Sequence, residues 1–188
     1  AVRVFQTVAK NDSDSMVRCA ALRALTPSPD VQTVELTLKI LQNPQQSRKD
    51  IRPATGPVRW DAARLLHRFI REDAYDPSQR GEILKTLLDR AAADRDRNVR
   101  LTCIDSLAYF HDSAALTALI DILREDDFAM QHAAETSLIA MTGVTHSHDA
   151  EAWRAWVAQT REPFASAGEI PDGLRAEQQS RTKWEWEW

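Results

Sequence analysis

The sequence predicts an all-α protein, an α-α superhelix in which pairs of antiparallel helices stack along the chain. Three observations predict it. A short motif recurs along the chain, the apolar residues around it follow the period of an α-helix, and only 5 of 188 residues are glycine. So little glycine suits long helices better than a turn-rich β sandwich.

The recurring motif is an aliphatic residue followed by arginine and then by small apolar residues. Its copies begin at Val17, Val58 and Val99, and a weaker copy begins at Met130. The separations are 41, 41 and 31 residues, which a basic unit of 31 with two insertions of ten explains. Repeats of this length indicate a solenoid, in which each unit buries its apolar face against its neighbours.

Each motif copy opens an amphipathic helix, helix B, and another helix, helix A, precedes it. Apolar residues recur at i, i+3 and i+4 in both helices, as in the A-helix stripe of Leu84, Leu87, Leu88 and Ala91. The turns between A and B carry acidic residues that cap free N–H groups. They are Asp12-Ser13-Asp14, Asp94-Arg95-Asp96 and Asp126-Asp127. The pattern predicts about four helix pairs.

One more helix is predicted after the fourth pair, over residues 149–159, with Trp153, Trp156 and Val157 on one face. These side chains are expected to cover the open end of the last pair. The predicted solenoid domain is therefore 1–160, and residues 161–188 form an extended, irregular tail rich in tryptophan.

The pattern D-x-x-V-R-x-x-A-A-x-x-L resembles HEAT repeats, especially the short bacterial kind also found in phycobilisome-lyase-type proteins. The resemblance covers roughly residues 1–142. It implies that the helix-B arginine pairs with acidic residues of adjacent turns, at Arg18, Arg59 and Arg100. Gln131 departs from the pattern, as expected in a terminal repeat.

Bulk properties narrow the function. The formal charge of −4 argues against nucleic-acid binding, which needs a basic face. No stretch approaches 18 consecutive apolar residues, and no signal peptide is visible. The compartment stays open between the cytoplasm and an extracytoplasmic part of a larger or anchored protein. Cys19 and Cys103 lie in separate repeats, so they are expected to be buried free thiols.

The first candidate partner-binding site is a loop of fifteen residues, 43–57, which carries Arg48, Lys49 and Arg52. Helix-pair connections are usually shorter, and long loops are often functional. A binding loop for an acidic partner and a tolerated insertion both stay open. Trp60, beside the loop, is a candidate partner anchor, although packing is the favoured role for it and for Tyr75.

The second candidate site is the chain end, where Trp184, Trp186 and Trp188 alternate with glutamates. In an extended segment the three indoles line one face, and each can bury roughly 150–250 Å². We predict an interaction element that binds the solenoid or a protein partner, or that mediates self-association. A solvated tail and a membrane interface remain alternatives.

Two further clusters are assigned structural roles. His146, His148 and Asp149 could share a metal ion, but further ligands are lacking and helix capping explains Asp149. An arginine ladder on the B helices could bind an acidic partner, but an internal ladder is favoured. No catalytic residue, metal site or cofactor is predicted.

The sequence therefore predicts a non-enzymatic scaffold that binds a protein partner, perhaps as a subunit or fragment of a larger assembly. The alternative is a HEAT-type enzyme, similar to bilin lyases or to glycosylases that excise alkylated bases. Such an enzyme needs a chromophore pocket or a strongly basic concave face, and the sequence shows the motif of neither.

Overall fold

A computed structural model describes residues 1–42, 51–171 and 174. Across these residues the chain forms nine α-helices and no β-strand. The helices are α1 (Val2–Asn11), α2 (Ser15–Ala24), α3 (Val31–Gln42), α4 (Gly56–Arg71), α5 (Arg80–Ala93), α6 (Arg97–Leu107), α7 (Ser113–Ile122), α8 (Phe128–Thr142) and α9 (Ala150–Gln159). The predicted all-α repeat fold is confirmed.

The chain divides into two compact units, residues 1–109 and 110–188. In the first unit α1–α2, α3–α4 and α5–α6 are three antiparallel pairs. Helices α1, α3 and α5 pack side by side in one layer, and α2, α4 and α6 form the second layer. This arrangement is a stack of A–B pairs, in the order that the repeat predicts.

The second unit contains one helix pair, α7–α8, with α9 packed on α7. Trp153 of α9 is completely buried, which agrees with the closing role predicted for this helix. The segment after α9 turns back, and the Gly168 N–H donates to the Ala140 carbonyl of α8 at 2.9 Å.

Aspartates start five of the helices, because a carboxylate before the first turn satisfies N–H groups that have no helical partner. The capping residues are Asp14, Asp96, Asp112, Asp127 and Asp149. Gly143 ends α8 with φ 72°, a left-handed conformation that favours glycine. The acidic caps predicted for the turns before α2, α6 and α8 are thus confirmed.

The motif residues Val58 and Val99 are fully buried, and Met130 is 1% exposed. Cys19 and Cys103 are buried free thiols, as the repeat order predicts. None of the helices in the described ranges is long and apolar enough to cross a membrane.

Candidate functional site

A cleft of about 260 Å³ lies between α2 and α4 in the first unit. Four of its lining side chains are arginines. Its walls are Leu22, Arg23, Thr26, Asp61, Arg64, Leu65, His67, Arg68 and Arg71. We call this the arginine cleft. The helical period places these groups together, since residues 61, 64, 65, 68 and 71 follow one side of α4.

Asp61 is a buried carboxylate in the arginine cleft, with its side chain 3% exposed. Arg23 of α2 donates to it from Nε at 3.0 Å and lies 2.8 Å from it through Nη2. Arg64 is 3.7 Å away through Nη1. The hydrogen bond to Asp61 raises the pKa of Arg23. Asp61 therefore fixes two guanidinium groups at the cleft while leaving both largely exposed.

The other two arginines share one exposed carboxylate. Arg68 Nε is 3.0 Å from Glu72 Oε1, and Arg71 Nη2 is 3.8 Å from the same oxygen. Four guanidinium groups thus face two carboxylates, which leaves the cleft with a net positive charge. Exposed pairs of this kind contribute little to stability, typically below ~1 kcal/mol, so these arginines are available to a ligand.

His67 lies at the base of the arginine cleft, next to α6. Its Nδ1 is 3.0 Å from the Ser106 hydroxyl, and its ring meets Tyr109 edge-on at 5.8 Å. Burial lowers the pKa of His67, although Asp105 opposes the shift. The imidazole is therefore neutral near pH 7 and adds no charge to the cleft.

Trp60 stands one turn before Arg64 on α4, and its ring lies 5.4 Å from the Arg64 guanidinium carbon. Its exposed fraction is 37%. A half-exposed indole beside a cationic cleft is the type of side chain that anchors protein partners. The structure thus places Trp60 next to the arginine cleft.

The loop residues are described only in part. Arg52 is exposed, its N–H donates to the Lys10 carbonyl at 3.2 Å, and the neighbouring Ile51 is buried. Its contacts therefore join it to the end of α1. Arg48, Lys49 and the three tail tryptophans, Trp184, Trp186 and Trp188, lie outside the described residues. Tyr75 contacts Arg80 through its hydroxyl at 2.9 Å.

The motif arginines point into the stack. Arg59 donates two short hydrogen bonds to Asp94, from Nε at 2.9 Å and Nη2 at 2.8 Å. Arg18 donates to the carbonyls of Ala9 and Pro53, both at 2.8 Å. Both side chains therefore bond inside the stack, as the internal ladder predicts. The resemblance implies an acidic partner, which Arg59 has in Asp94, whereas Arg18 bonds to backbone carbonyls. Backbone carbonyls serve Arg18 because Pro53 occupies the place of Asp94.

The same inward role extends to the third and fourth pairs. Arg100 Nε donates to the Ala91 carbonyl at 2.7 Å. Gln131 Nε2 donates to the carbonyls of Leu123 and Glu125, at 3.2 and 2.7 Å. Glutamine therefore keeps the interior hydrogen bond of the motif while dropping its charge.

The second unit contains a buried carboxylate that sequence reasoning missed. Glu135 of α8 is 4% exposed and accepts the indole N–H of Trp153 at 2.7 Å and the hydroxyl of Thr145 at 2.6 Å. The backbone N–H groups of His146 and His148 donate to it at 3.3 Å. A glutamate on the otherwise apolar face of a motif helix is the sequence feature that could have indicated this buried carboxylate.

The hydrogen bonds to Glu135 fix the conformation of the loop that contains His146 and His148. Ser147 and His148 adopt left-handed backbone conformations, with φ of 52° and 67°, which cost non-glycine residues on the order of 1 kcal/mol each. Asp149 caps α9, as predicted. Within the described ranges no group of three or more metal-binding side chains is assembled.

The stacked helix pairs define a helical-repeat protein, and the arginine cleft is an open, positively charged surface of its first unit. Residues 51–139 match the family model for HEAT repeats. This part of the chain, from the end of the loop through most of α8, is similar to HEAT repeats, which supports a HEAT-repeat family. None of the curated proteins matches the chain significantly.

Proposed function

We propose that the chain is a non-enzymatic HEAT-repeat scaffold that binds an acidic segment of a partner protein in the arginine cleft. The observation that carries the proposal is the concentration of four arginines on one open cleft of a chain whose formal charge is −4. HEAT repeats typically serve as scaffolds for protein interaction, which supports a protein partner in general.

The chemistry of the cleft favours carboxylate groups. A guanidinium group offers a planar fork of donors that matches a carboxylate with two hydrogen bonds. Asp61 holds Arg23 and Arg64 in place, which reduces the entropy that binding would otherwise cost. Trp60 adds a flat apolar surface at the edge, so an acidic peptide with an apolar residue fits the site best.

The test compares charge reversals at two places in the first unit. Arg64→Glu with Arg68→Glu removes positive charge from the arginine cleft. Arg3→Glu with Lys39→Glu makes the same change in charge at the groove between α1 and α3. All four side chains are exposed, so both variants are expected to fold.

The probe is a fluorescein-labelled peptide of ten alternating glutamate and leucine residues, followed by fluorescence anisotropy. The cleft variant is expected to bind at least ~10-fold more weakly than the unaltered chain, with a smaller dependence on salt. The groove variant is expected to bind within about twofold of the unaltered chain. Equal losses in both variants, or tighter binding of a DNA oligonucleotide than of the peptide, would contradict the proposal.

A further inference from the structure

The first helix pair exposes apolar side chains on the side that faces away from α3 and α4. Val4 is 62% exposed, Phe5 37% and Val17 42%, and Ala20 and Ala24 are also exposed. We call these five residues the outer face of α1–α2. Contiguous exposed apolar residues of this kind mark contact surfaces.

The first and third helix pairs correspond residue by residue without a gap, because Val17 and Val99 are 82 residues apart and residues 1–25 align with 83–107. Equivalent residues of the two pairs also make equivalent hydrogen bonds. The Asp14 N–H donates to Asp12 Oδ1 at 2.8 Å, and the Asp96 N–H donates to Asp94 Oδ1 at 2.8 Å. The hydrogen bond from Arg18 to Ala9 likewise recurs from Arg100 to Ala91. Equivalent positions can therefore be compared directly.

In the third pair four of the five counterparts of the outer face are buried, and the fifth, Thr102, is half-buried. Val17 corresponds to Val99, which is fully buried, and the other buried counterparts are Thr86 (2% exposed), Leu87 (0%) and Ser106 (0%). The second pair covers them. Gln42 of α3 donates to the Thr86 hydroxyl at 3.0 Å, and His67 of α4 lies 3.0 Å from the Ser106 hydroxyl. The outer face of α1–α2 is thus the face on which a preceding helix pair packs in this stack.

A charged group marks the same contact. Asp94 accepts hydrogen bonds from Nε and Nη2 of Arg59 in the preceding pair, and its counterpart in the first pair is Asp12. Asp12 is half-buried, and no arginine of this kind is bonded to it within the described residues. Arg18 of the first pair likewise donates a hydrogen bond to the A–B turn of the following pair, where its acceptor is the Pro53 carbonyl. A helix pair packed on the outer face would place its own motif arginine at Asp12.

The outer face of α1–α2 is too small to bind a separate chain stably, which favours an occupant joined to this chain. Helices of ten residues are only ~15 Å long and pack ~8–10 Å apart. Their joint footprint is well below the roughly 800 Å² per partner of a stable complex. A second copy of the chain would bring its identical apolar face but none of the motif arginines for Asp12, because Arg18, Arg59 and Arg100 bond inside the stack.

We propose that the outer face of α1–α2 is the docking surface for one further HEAT-type helix pair, joined ahead of α1, whose second helix carries an arginine that pairs with Asp12. This contact is independent of the arginine cleft. With that pair in place, α1–α2 would be an internal pair of a longer repeat array. Val4 and Val17, which are exposed here, would then be buried between the two pairs.

The test supplies such a pair from the chain itself. A copy of residues 31–82 is placed directly ahead of Ala1. Ala1 corresponds to Ile83 in the repeat alignment, so the copied Glu82 is followed by Ala1 as the native Glu82 is followed by Ile83. Val17→Cys reports on the outer face through its rate of reaction with a thiol reagent. Burial slows the native thiols, since it raises the pKa of Cys19 to about 11 and also raises the pKa of Cys103.

The expected result is that Val17→Cys reacts at least ~10-fold more slowly in the extended protein than in the parent chain. Met16→Cys is the matched control. Met16 is 64% exposed and its counterpart Asn98 is exposed in the third pair, so its rate should be the same in both proteins. In addition, Asp12→Asn should lower the melting temperature of the extended protein more than that of the parent, where Asp12 interacts with Arg18 of its own pair.

Equal reaction rates of Val17→Cys in the two proteins would overturn the proposal. It would also be overturned if Val17→Cys is protected in the parent chain and becomes reactive on dilution, since a second copy would then occupy the face. Both outcomes leave the proposed binding of acidic peptides untouched, because Arg64 and Arg68 do not belong to the outer face.

Discussion

At the scale of single residues, the pair of Arg59 and Asp94 shows how a motif position acts in the stack. Both side chains are buried, at 8% and 1% exposure. Burial opposes ionisation of Asp94, but the hydrogen bonds from Arg59 and from the Asp96 N–H prevail and hold the pKa of Asp94 below its usual range. The carboxylate is therefore charged in the folded protein at any pH at which it is charged in the unfolded chain.

This shift predicts how stability responds to acid. The folded pKa is lower than the unfolded value of about 3.9. The stability due to Asp94 is therefore fully present above pH ~4 and is lost as the pH falls through the folded pKa. Asp94→Asn should cost about 3 kcal/mol at pH 7, because it leaves Arg59 buried without its counter-ion. That cost should shrink below pH ~4.

Urea unfolding of both proteins between pH 7 and pH 3 measures this dependence. Asp89→Asn is the control, since Asp89 is exposed on α5. A difference between Asp94→Asn and the unaltered chain that stays constant over the whole pH range would show that the carboxylate's charge does not act through Arg59.

The same residues show what sequence reasoning can and cannot reach. The matched motif position of Arg18, Arg59 and Arg100 and the acidic residues in the adjacent turns favour an internal ladder, as the resemblance to HEAT repeats also implies. The motif does not predict the partners of these arginines, since Asp94 in one turn corresponds to Pro53 in another. The arginine cleft was also missed, because its charge comes from two helices, and only packing brings Arg23 of α2 against Asp61 of α4.

At the scale of the element, a buried carboxylate, Glu135 of α8, binds α9 to the second unit. Trp153 was predicted to close the last pair because its side of α9 is apolar, and it is fully buried. The partner of its indole N–H, Glu135, could not be predicted. Its position on α8 corresponds to an apolar residue in the other motif helices, such as Leu22 and Ile104.

Glu135→Ala is therefore expected to destabilise the chain by about 3 kcal/mol or more. The change leaves the buried Trp153 indole and two partly buried backbone N–H groups without an acceptor, and it releases the left-handed conformations of Ser147 and His148. Hydrogen exchange should increase most in residues 143–159, which Glu135 connects to α8. Urea unfolding gives the total cost.

The control for this prediction is Glu151→Ala on α9. Glu151 is exposed and pairs with Arg154 at 2.8 Å on the surface, so its loss should change stability by less than ~0.5 kcal/mol. Similar costs for the two variants, or an increase in exchange that spares residues 143–159, would mean that Glu135 does not hold the closing helix.

At the scale of the whole molecule, charge and tryptophan are distributed unevenly along the chain. The formal charge of −4 coexists with a net positive arginine cleft, so a local field that attracts an acidic partner lies on an acidic protein. The six tryptophans include three in the last five residues. That distribution gives the chain two separate candidate contact regions, the cleft and the tail.

The tail remains a prediction, and deletion of residues 183–188 tests it. The helices α1–α9 all lie before the deleted residues, since α9 ends at Gln159, so the deletion should leave their far-UV circular dichroism signal unchanged. It should remove binding of a protein partner or self-association, because three indoles that alternate with glutamates can bury one apolar face against another surface. Pull-down from native extract and light scattering, applied to the full and shortened chains, measure the two effects.

Substituting Arg64 and Arg68 by glutamate in the full chain is the control that separates binding by the tail from binding by the arginine cleft. If the shortened chain retains the same partners and the same mass, the tail is not an interaction element.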